Sequence, residues 1–243
     1  MKIWVYSVCW NESMFLPFYL RHYNSFASKI IIYDQHSDDG SREIASQNKL
    51  VEIRDYNAEG IHEPSVTGLY NTCYHDARGK ADWVILCDID EIIYDPYIIT
   101  KLQEYKDMEM SVASVVGYTM MHDKPPKDNK RQIWMYYKNG IRDYVFDKMC
   151  VFNPKLDITY APGRHTASFY PEPIYSQPEI KLLHYRYWGM EWVLKKHEIH
   201  YARLSKENKE NSWGYNKFPE RNDGSYYTPK WFDKMYQERV KVI

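Results

Sequence analysis

One stretch of the sequence decides the fold: Ala81-Asp82-Trp83-Val84-Ile85-Leu86-Cys87-Asp88-Ile89-Asp90-Glu91-Ile92-Ile93. Its first half is a short apolar run rich in β-branched and aromatic residues, which predicts a strand buried on both faces. The strand ends in three acids, which repel one another unless a cation or hydrogen-bond donors hold them. A divalent metal ion is the simplest counterion. An Asp-x-Asp pair is weak evidence by itself, so its position in the fold decides its meaning.

The chain before this stretch alternates between strand and helix patterns. Strands are predicted at residues 2–9, 29–33 and 50–56. Helices are predicted from Ser13 or Phe15, at 41–47, and from a cap at Ser65 to Gly79. Strands that alternate with helices pair in parallel, because the crossovers cover both faces of the sheet. The sequence therefore predicts an α/β fold, a Rossmann-like three-layer α/β/α sandwich with a mixed central sheet.

Three polar clusters follow the ends of these strands. They are Trp10-Asn11-Glu12, residues 34–39, and Asp88-Ile89-Asp90-Glu91. In parallel sheets ligands bind beyond the carboxyl ends of the strands, so we expect the clusters to gather on one rim. For Asp38 and Asp39, capping of the following helix is the favoured interpretation.

The second half of the chain has a different pattern. Strands are predicted at residues 111–121, 133–137, 148–152 and 180–187, which would add a mixed sheet around the rim. A helix follows at 190–204, then a mobile loop at 206–228 and a helix opened by Pro229. We expect one domain, residues 1–243, made of a nucleotide-binding half (1–107), an acceptor- and metal-completing half (108–205), and the mobile loop with the C-terminal helix (206–243).

Composition restricts the partners of this 243-residue chain. Its net charge is −1 and both signs are interspersed, which argues against nucleic acid as a partner. Its four scattered cysteines suggest neither a zinc site nor disulfides. No run approaches the roughly 20 apolar residues of a membrane span, which predicts a cytoplasmic protein. The C-terminal helix carries an apolar face and excess basic residues; docking on the domain is favoured, and peripheral membrane contact is the alternative.

With the rim assembled, the pattern resembles the GT-A glycosyltransferases, specifically the branch of family 2 with Asn-Glu after strand one and Asp-x-Asp-Glu after strand four. The resemblance covers most of residues 1–200, and the order and spacing of its motifs make it fairly specific. The residues that carry it are Asn11-Glu12, Tyr33-Asp34 with Ser37-Asp38-Asp39-Gly40, Asp88-Ile89-Asp90-Glu91, Lys148 with Pro154, and His184-Tyr185.

The resemblance implies a nucleotide-sugar donor, with UDP as the expected nucleotide, whose diphosphate is bridged by Mn²⁺ or Mg²⁺. Asp90 would ligate the metal directly, and Asp88 would reach the ribose or a metal-bound water. His184 matches the family's late histidine and would be a third ligand; a structural role is its equal alternative. The cation would stabilise the charge of the leaving nucleoside diphosphate.

The resemblance also implies contacts to the rest of the donor. Asp34 would hydrogen-bond the base, and Trp10 would pack near it. Glu12 is a further candidate because it belongs to the Asn-Glu motif. Asn71 would approach the nucleotide from the third helix, although a solvated helix face is the favoured alternative. Lys148 would contact phosphate as a point charge.

The sequence departs from many family 2 enzymes because no Glu-Asp or Asp-Asp pair opens a later helix to supply a catalytic base. An inverting transfer needs a group that deprotonates the acceptor hydroxyl. The candidates are Asp123 and His165, each with an ordinary loop role as the favoured alternative.

The leading hypothesis is a metal-dependent glycosyltransferase that acts on a glycan or lipid-linked acceptor, with surface polysaccharide biosynthesis as one setting. A sugar-1-phosphate nucleotidyltransferase is an alternative, but Trp10-Asn11-Glu12-Ser13 is neither glycine-rich nor basic, unlike the loop those enzymes carry. A carbohydrate- or nucleotide-binding protein of the same fold without turnover is the second alternative.

Overall fold

The computed structural model describes the backbone of residues 1–243 and every side chain other than that of Tyr215. Its strands are β1 Ile3–Cys9, β2 Lys29–Asp34, β3 Val51–Asp55, β4 Trp83–Leu86, β5 Glu91–Tyr94, β6 Val115–His122, β7 Asn139–Arg142, β8 Val151–Phe152, β9 Asp157–Tyr160, β10 Ala167–Tyr170, β11 Ile180–Trp188 and β12 Val240–Lys241. Its α-helices are α1 Leu16–Tyr23, α2 Ser41–Ser46, α3 Glu63–Thr72, α4 Ile98–Asp107, α5 Met190–Arg203, α6 Lys206–Glu210 and α7 Pro229–Glu238.

The first sheet has the strand order β3-β2-β1-β4-β8. Strands β1 to β4 pair in parallel, and β8 lies antiparallel at the edge beside β4. Side chains alternate between the two faces: Val5 and Ile85 lie in one buried cluster, and Tyr6 and Val84 lie in the other. The predicted strand that is buried on both faces is therefore confirmed.

Helices cover both faces of this sheet. Helix α1 packs on the face of Val5, where its Leu16 and Tyr19 are fully buried. Its start agrees with the sequence, since Pro17 occupies the first turn, where a missing N–H costs nothing. Helix α3 packs its Tyr70 on the opposite face. The α/β class and its layered arrangement are confirmed.

The second sheet has the order β12-β7-β6-β11-β5 and is mixed. Strand β11 runs parallel to β6 and antiparallel to β5. The chain leaves the first sheet at the end of β4 and enters the second sheet at β5. Residues 87–90 make this crossing, so Asp88 and Asp90 lie where the two sheets meet.

Two of the predicted elements differ from the structure. Residues 133–137 were predicted as a strand, but Ile133–Met135 form a 3₁₀ helix; short apolar runs do not distinguish the two by periodicity. The predicted loop at 206–228 contains α6 and a 3₁₀ helix, Tyr215–Lys217.

The C-terminal helix is shorter than its apolar pattern suggests. Helix α7 ends at Glu238, and β12 then pairs with β7. Phe232 of the helix is fully buried, and Lys181 donates a hydrogen bond of 2.8 Å to the carbonyl of Val242. The helix therefore docks its apolar face on the domain, the favoured interpretation, while the membrane contact stays a prediction.

Candidate functional site

The acids at the sheet crossing stand beside a strand from the far end of the chain. Strand β11 pairs with β5 so that His184 lies opposite Glu91. The backbone N–H of Tyr185 also donates to the carbonyl of Asp90 over 2.8 Å. This pairing brings the predicted metal ligands Asp90 and His184 together, although 94 residues separate them in the sequence.

Asp90 and His184 face each other directly. His184 Nε2 lies 3.4 Å from Asp90 Oδ2. Burial alone would raise the pKa of Asp90, but the His184 ring outweighs this effect and lowers it. The ring of Phe146 stacks on His184 with 4.1 Å between ring centroids, which fixes the imidazole plane. The buried Nδ1 atom of His184 has no hydrogen-bond partner among the described residues.

Asp88 is held by an arginine that the sequence did not single out as a site residue. Arg164 Nη2 donates to both carboxylate oxygens of Asp88, over 2.9 and 2.7 Å. The guanidinium also stacks on the ring of Tyr70, with 4.1 Å between Cζ and the ring centroid. Burial would raise the pKa of Asp88, but Arg164 and Lys148 together hold it well below its usual range.

The hairpin between β9 and β10 explains the position of Arg164. Ala161 and Thr166 pair across the hairpin, and Arg164 lies at its tip with φ +57°. Strand β9 packs on α3, where the side-chain oxygen of Asn71 accepts a hydrogen bond of 2.9 Å from the Tyr160 N–H. Asn71, a predicted nucleotide contact, thus holds the hairpin in place.

Lys148 forms a buried ion pair with Glu91. The two side chains are 5% and 1% exposed. Asp88 Oδ2 lies 4.0 Å from the same ammonium nitrogen. Burial disfavours the charged form of Lys148, but the carboxylates of Glu91 and Asp88 outweigh this and raise its pKa. Lys148, which the sequence predicted to contact phosphate, therefore already neutralises the Glu91 carboxylate.

The pair of Asp90 and His184 fits a divalent cation. A carboxylate oxygen and an imidazole nitrogen 3.4 Å apart can both reach one ion at ligand distances of about 2.0–2.2 Å. Both oxygens of the Asp88 carboxylate accept hydrogen bonds from Arg164. Among the described residues, no group of three or more His, Cys, Asp or Glu side chains is arranged to hold a metal. Asp90 and His184 are thus the chain's two ligand candidates, and Asp88 stays a predicted one.

The other predicted donor contacts lie around the ends of β1 and β2 with internal partners. Asp34 is 1% exposed and accepts hydrogen bonds from Ser37 and from Arg42. The Arg203 guanidinium lies 3.3 Å from the ring centroid of Trp10, where the base was expected to pack. The predicted contacts of Asp34 and Trp10 with the base stay predictions, because each side chain is engaged within the protein.

Glu12 follows β1 and pairs with a lysine of α5. Lys196 Nζ lies 3.1 Å from Glu12 Oε1. Burial raises the pKa of Glu12 to about 7, against the opposing effect of the Lys196 charge. Lys196 therefore has an acidic partner at the end of β1.

The two candidate bases lie in different places. Asp123 is exposed and borders a depression formed by residues 122–129 and Tyr137, outside the cavity of Asp88. His165, next to Arg164, lines that cavity, and its Nδ1 lies 3.0 Å from the Val145 carbonyl. Because a carbonyl only accepts, Nδ1 carries the proton and Nε2 has the free lone pair. Of the two, only His165 has a position from which it could serve this cavity.

Several of the predicted site residues line a single cavity. Its volume of about 580 Å³ is in the range of small-molecule and cofactor sites. Of the predicted site residues, Asp88, Lys148, His165 and His184 line it. Arg186 of β11 and Lys217 line it as well, and the sequence analysis identified neither. Arg186 directly follows His184-Tyr185 in a largely buried strand, and Lys217 lies in the polar stretch 206–228, so only the tertiary structure brings the two to one cavity.

The segment 206–228 closes one side of the cavity and is anchored by a buried acid. Asp143 is 2% exposed and accepts hydrogen bonds from the hydroxyls of Thr119, Tyr226 and Tyr227. Thr119 lies beside His184 in the sheet. The anchor therefore fixes the segment directly next to the candidate metal ligands.

No family model and no curated protein matches the sequence. The structure of S. aureus TarS 1-349 is 12% identical; the match covers 92% of this chain and 74% of that chain, with a TM-score of 0.44. The complex of TarS 1-349 with UDP-GlcNAc is 13% identical, with coverages of 89% and 72% and a TM-score of 0.43.

A third similar structure is that of CMP:2-keto-3-deoxy-manno-octonic acid synthetase complexed with CTP. It is 16% identical; the match covers 49% of this chain and 53% of that chain, with a TM-score of 0.33. At these identities and TM-scores the likenesses assign no activity, and the α/β class rests on the chain's own sheets and helices. Among the described residues, no helix is both long and apolar enough to cross a membrane.

Proposed function

We propose that this chain is a metal-dependent glycosyltransferase that transfers a sugar from a nucleotide-sugar donor to a glycan or glycoconjugate acceptor. One observation carries the proposal. The crossing between the two sheets places a carboxylate and an imidazole, Asp90 and His184, 3.4 Å apart beside a cavity of about 580 Å³. A site that combines metal-ligating groups with basic side chains suits a diphosphate ligand.

Particular residues of the chain would bind the metal ion and the ribose, and one segment would cover the donor. Asp90 and His184 would hold a Mn²⁺ or Mg²⁺ ion, which when bound supplies positive charge to the leaving nucleoside diphosphate. Asp88, oriented by Arg164, would accept hydrogen bonds from the ribose. The segment anchored on Asp143 covers the cavity and limits the access of water, which protects the donor from hydrolysis.

His165 is the base that this arrangement supports. Its Nε2 carries the free lone pair, faces no described partner, and can accept the proton of the acceptor hydroxyl as the glycosidic bond forms. An acceptor in line with this nitrogen would attack from the side opposite the leaving group, which gives inversion at the anomeric carbon. The acceptor would be a glycan or a lipid-linked sugar.

The test compares Asp90→Ala with Asp233→Ala, which removes an exposed carboxylate on α7. We expect Asp90→Ala to lose the thermal stabilisation by Mn²⁺ with UDP-sugars, and to slow transfer by roughly a thousandfold, because several kcal/mol of leaving-group stabilisation disappear. Asp233→Ala should match the wild type in both assays. His165→Gln should still bind donor and lose transfer. A folded Asp90→Ala variant with normal turnover would refute the metal assignment.

A further inference from the structure

Part of the cavity wall carries cationic side chains that form no ion pair with a described residue. Three elements contribute to it: Arg186 comes from β11, His200 from α5, and Lys217 from the 3₁₀ helix in segment 206–228. These side chains come from separate parts of the chain and converge only in the folded molecule. We call them the Arg186 wall.

The cations of the Arg186 wall lack partners. Neither the Arg186 guanidinium nor the Lys217 ammonium forms a hydrogen bond or ion pair with another described side chain. The Nδ1 atom of His200 is buried and also has no hydrogen-bond partner among the described residues. Burial and the charge of Arg186 lower the pKa of Lys217 to about 8, while Glu63 opposes them from a greater distance than an ion pair.

The acids that line the cavity have other partners, and Asp90 and Glu12 interact with the Arg186 charge only from beyond ion-pair distance. Asp88 is paired with Arg164, and Glu91 is paired with Lys148. Glu63 accepts a hydrogen bond of 3.0 Å from the Gly163 N–H. A cation removed from water without a paired anion is costly, and a bound anion would offset that cost.

We propose that Arg186, His200 and Lys217 form an oxyanion-binding subsite, separate from the ion pairs of Asp88 and Glu91. Arginine and lysine are common ligands of phosphate and carboxylate groups, and the imidazole can add a neutral hydrogen bond. Arg186 lies two residues after His184 on β11 and lines the same cavity, so the oxyanion binds next to the candidate metal ligands.

Under the proposed function, this oxyanion belongs to one of two parts of the substrates. The inference rests on the proposed function only for the identity of these two sources. One source is the diphosphate of the donor. The other is an acidic group, phosphate or carboxylate, on the acceptor or on the transferred sugar. Both use the same chemistry, and binding of simple anions tests the subsite whether or not the protein transfers sugar.

The experiment measures anion binding by isothermal titration calorimetry, with EDTA present to remove divalent ions. The probes are inorganic phosphate, inorganic pyrophosphate and UDP. The variants are Arg186→Gln and Lys217→Gln, with Lys206→Gln as the control, because Lys206 lies in the same segment with its side chain 85% exposed. We expect each subsite variant to bind pyrophosphate about tenfold more weakly or worse, and the control to match the wild type.

Thermal unfolding without anions separates binding from folding. Because neither Arg186 nor Lys217 forms an ion pair with a described residue, both variants should unfold near the wild-type temperature. A lower unfolding temperature in both variants would show that the cations are structural and would overturn the proposal. Arg186→Lys, which keeps the charge, should recover part of the pyrophosphate affinity.

The three probes distinguish the sources. Weaker UDP binding in the variants assigns the subsite to the donor diphosphate. Unchanged UDP binding, with weaker phosphate binding when UDP is saturating, assigns it to an acidic group on the acceptor or sugar. Wild-type affinity of both variants for all three probes overturns the subsite. Pyrophosphate binding through Arg186 and Lys217, without transfer from any nucleotide-sugar, would leave the subsite intact and overturn the proposed function.

Discussion

The buried ion pair between Glu91 and Lys148 leads to a quantitative prediction about stability. Lys148→Met keeps most of the side-chain volume but removes the positive charge. Among the described residues, the Glu91 carboxylate, 1% exposed, then keeps only the Asp88 N–H as a hydrogen-bond donor, over 3.1 Å. Removing one partner of a buried pair typically costs about 3–5 kcal/mol, because an unpaired charge remains in the interior. We expect a loss of that size in the free energy of unfolding.

A double-mutant cycle tests whether the cost comes from the unpaired charge. In Glu91→Gln with Lys148→Met, no charge is left behind, so the double variant should be less destabilised than the sum of the single variants, by about 1–3 kcal/mol. Lys206→Met is the control, because its 3.6 Å pair with Glu210 is exposed. It should show no measurable loss. Urea-induced unfolding followed by tryptophan fluorescence measures the wild type, the two single variants, the double variant and the control.

The sequence analysis predicted a different role for Lys148, as a contact to phosphate. If Lys148→Met unfolds at the wild-type urea concentration but no longer binds UDP or pyrophosphate, the structural reasoning is refuted and the phosphate contact is correct. If the variant is destabilised as expected and the folded fraction binds UDP normally, the lysine serves the fold.

Two further predictions concern pH and a tight backbone contact. Burial lowers the pKa of His22 to about 4 from its usual 6.5, so between these values the unfolded chain binds a proton that the folded chain does not. Stability should therefore fall as pH drops through this window, and His22→Gln should reduce the slope by up to about 1.4 kcal/mol per pH unit in urea titrations; an unchanged slope contradicts this. Gly60→Ala should lower the unfolding temperature more than Gly40→Ala. Both glycines have positive φ, but a Cβ at Gly60 would clash with the Arg203 carbonyl, whereas no atom lies within 4 Å at Gly40. Equal decreases in unfolding temperature would show that the Arg203 carbonyl moves aside for the added Cβ.

Local patterns in the sequence were enough to determine the first sheet. A strand that is buried on both faces is followed by a helix pattern and then by another strand. This order specifies a parallel crossover independently of the rest of the chain. The carboxyl ends of such strands share an edge, which is why Asp34 and Asp88 could be assigned to one rim. The same reasoning placed the acids of residues 88–91 at the end of β4, where the structure has them.

The boundaries of short elements were less certain from the sequence. The segment around Ile133 is a 3₁₀ helix, and the chain after Glu238 returns to a sheet. In both places the apolar residues satisfy either type of structure, and the neighbouring elements decide. For β12 the deciding partner is β7, about 100 residues earlier in the chain.

Which charges face one another could only be decided by the tertiary structure. His184 reaches Asp90 because β11 pairs with β5, and Arg164 reaches Asp88 because a hairpin packs on α3. Lys148 and Arg186 are both basic residues on or near strands, yet Lys148 is neutralised by a buried acid, whereas Arg186 forms no ion pair with a described side chain. Charge pairing depends on distance and burial, and contacts between segments far apart in the sequence set both.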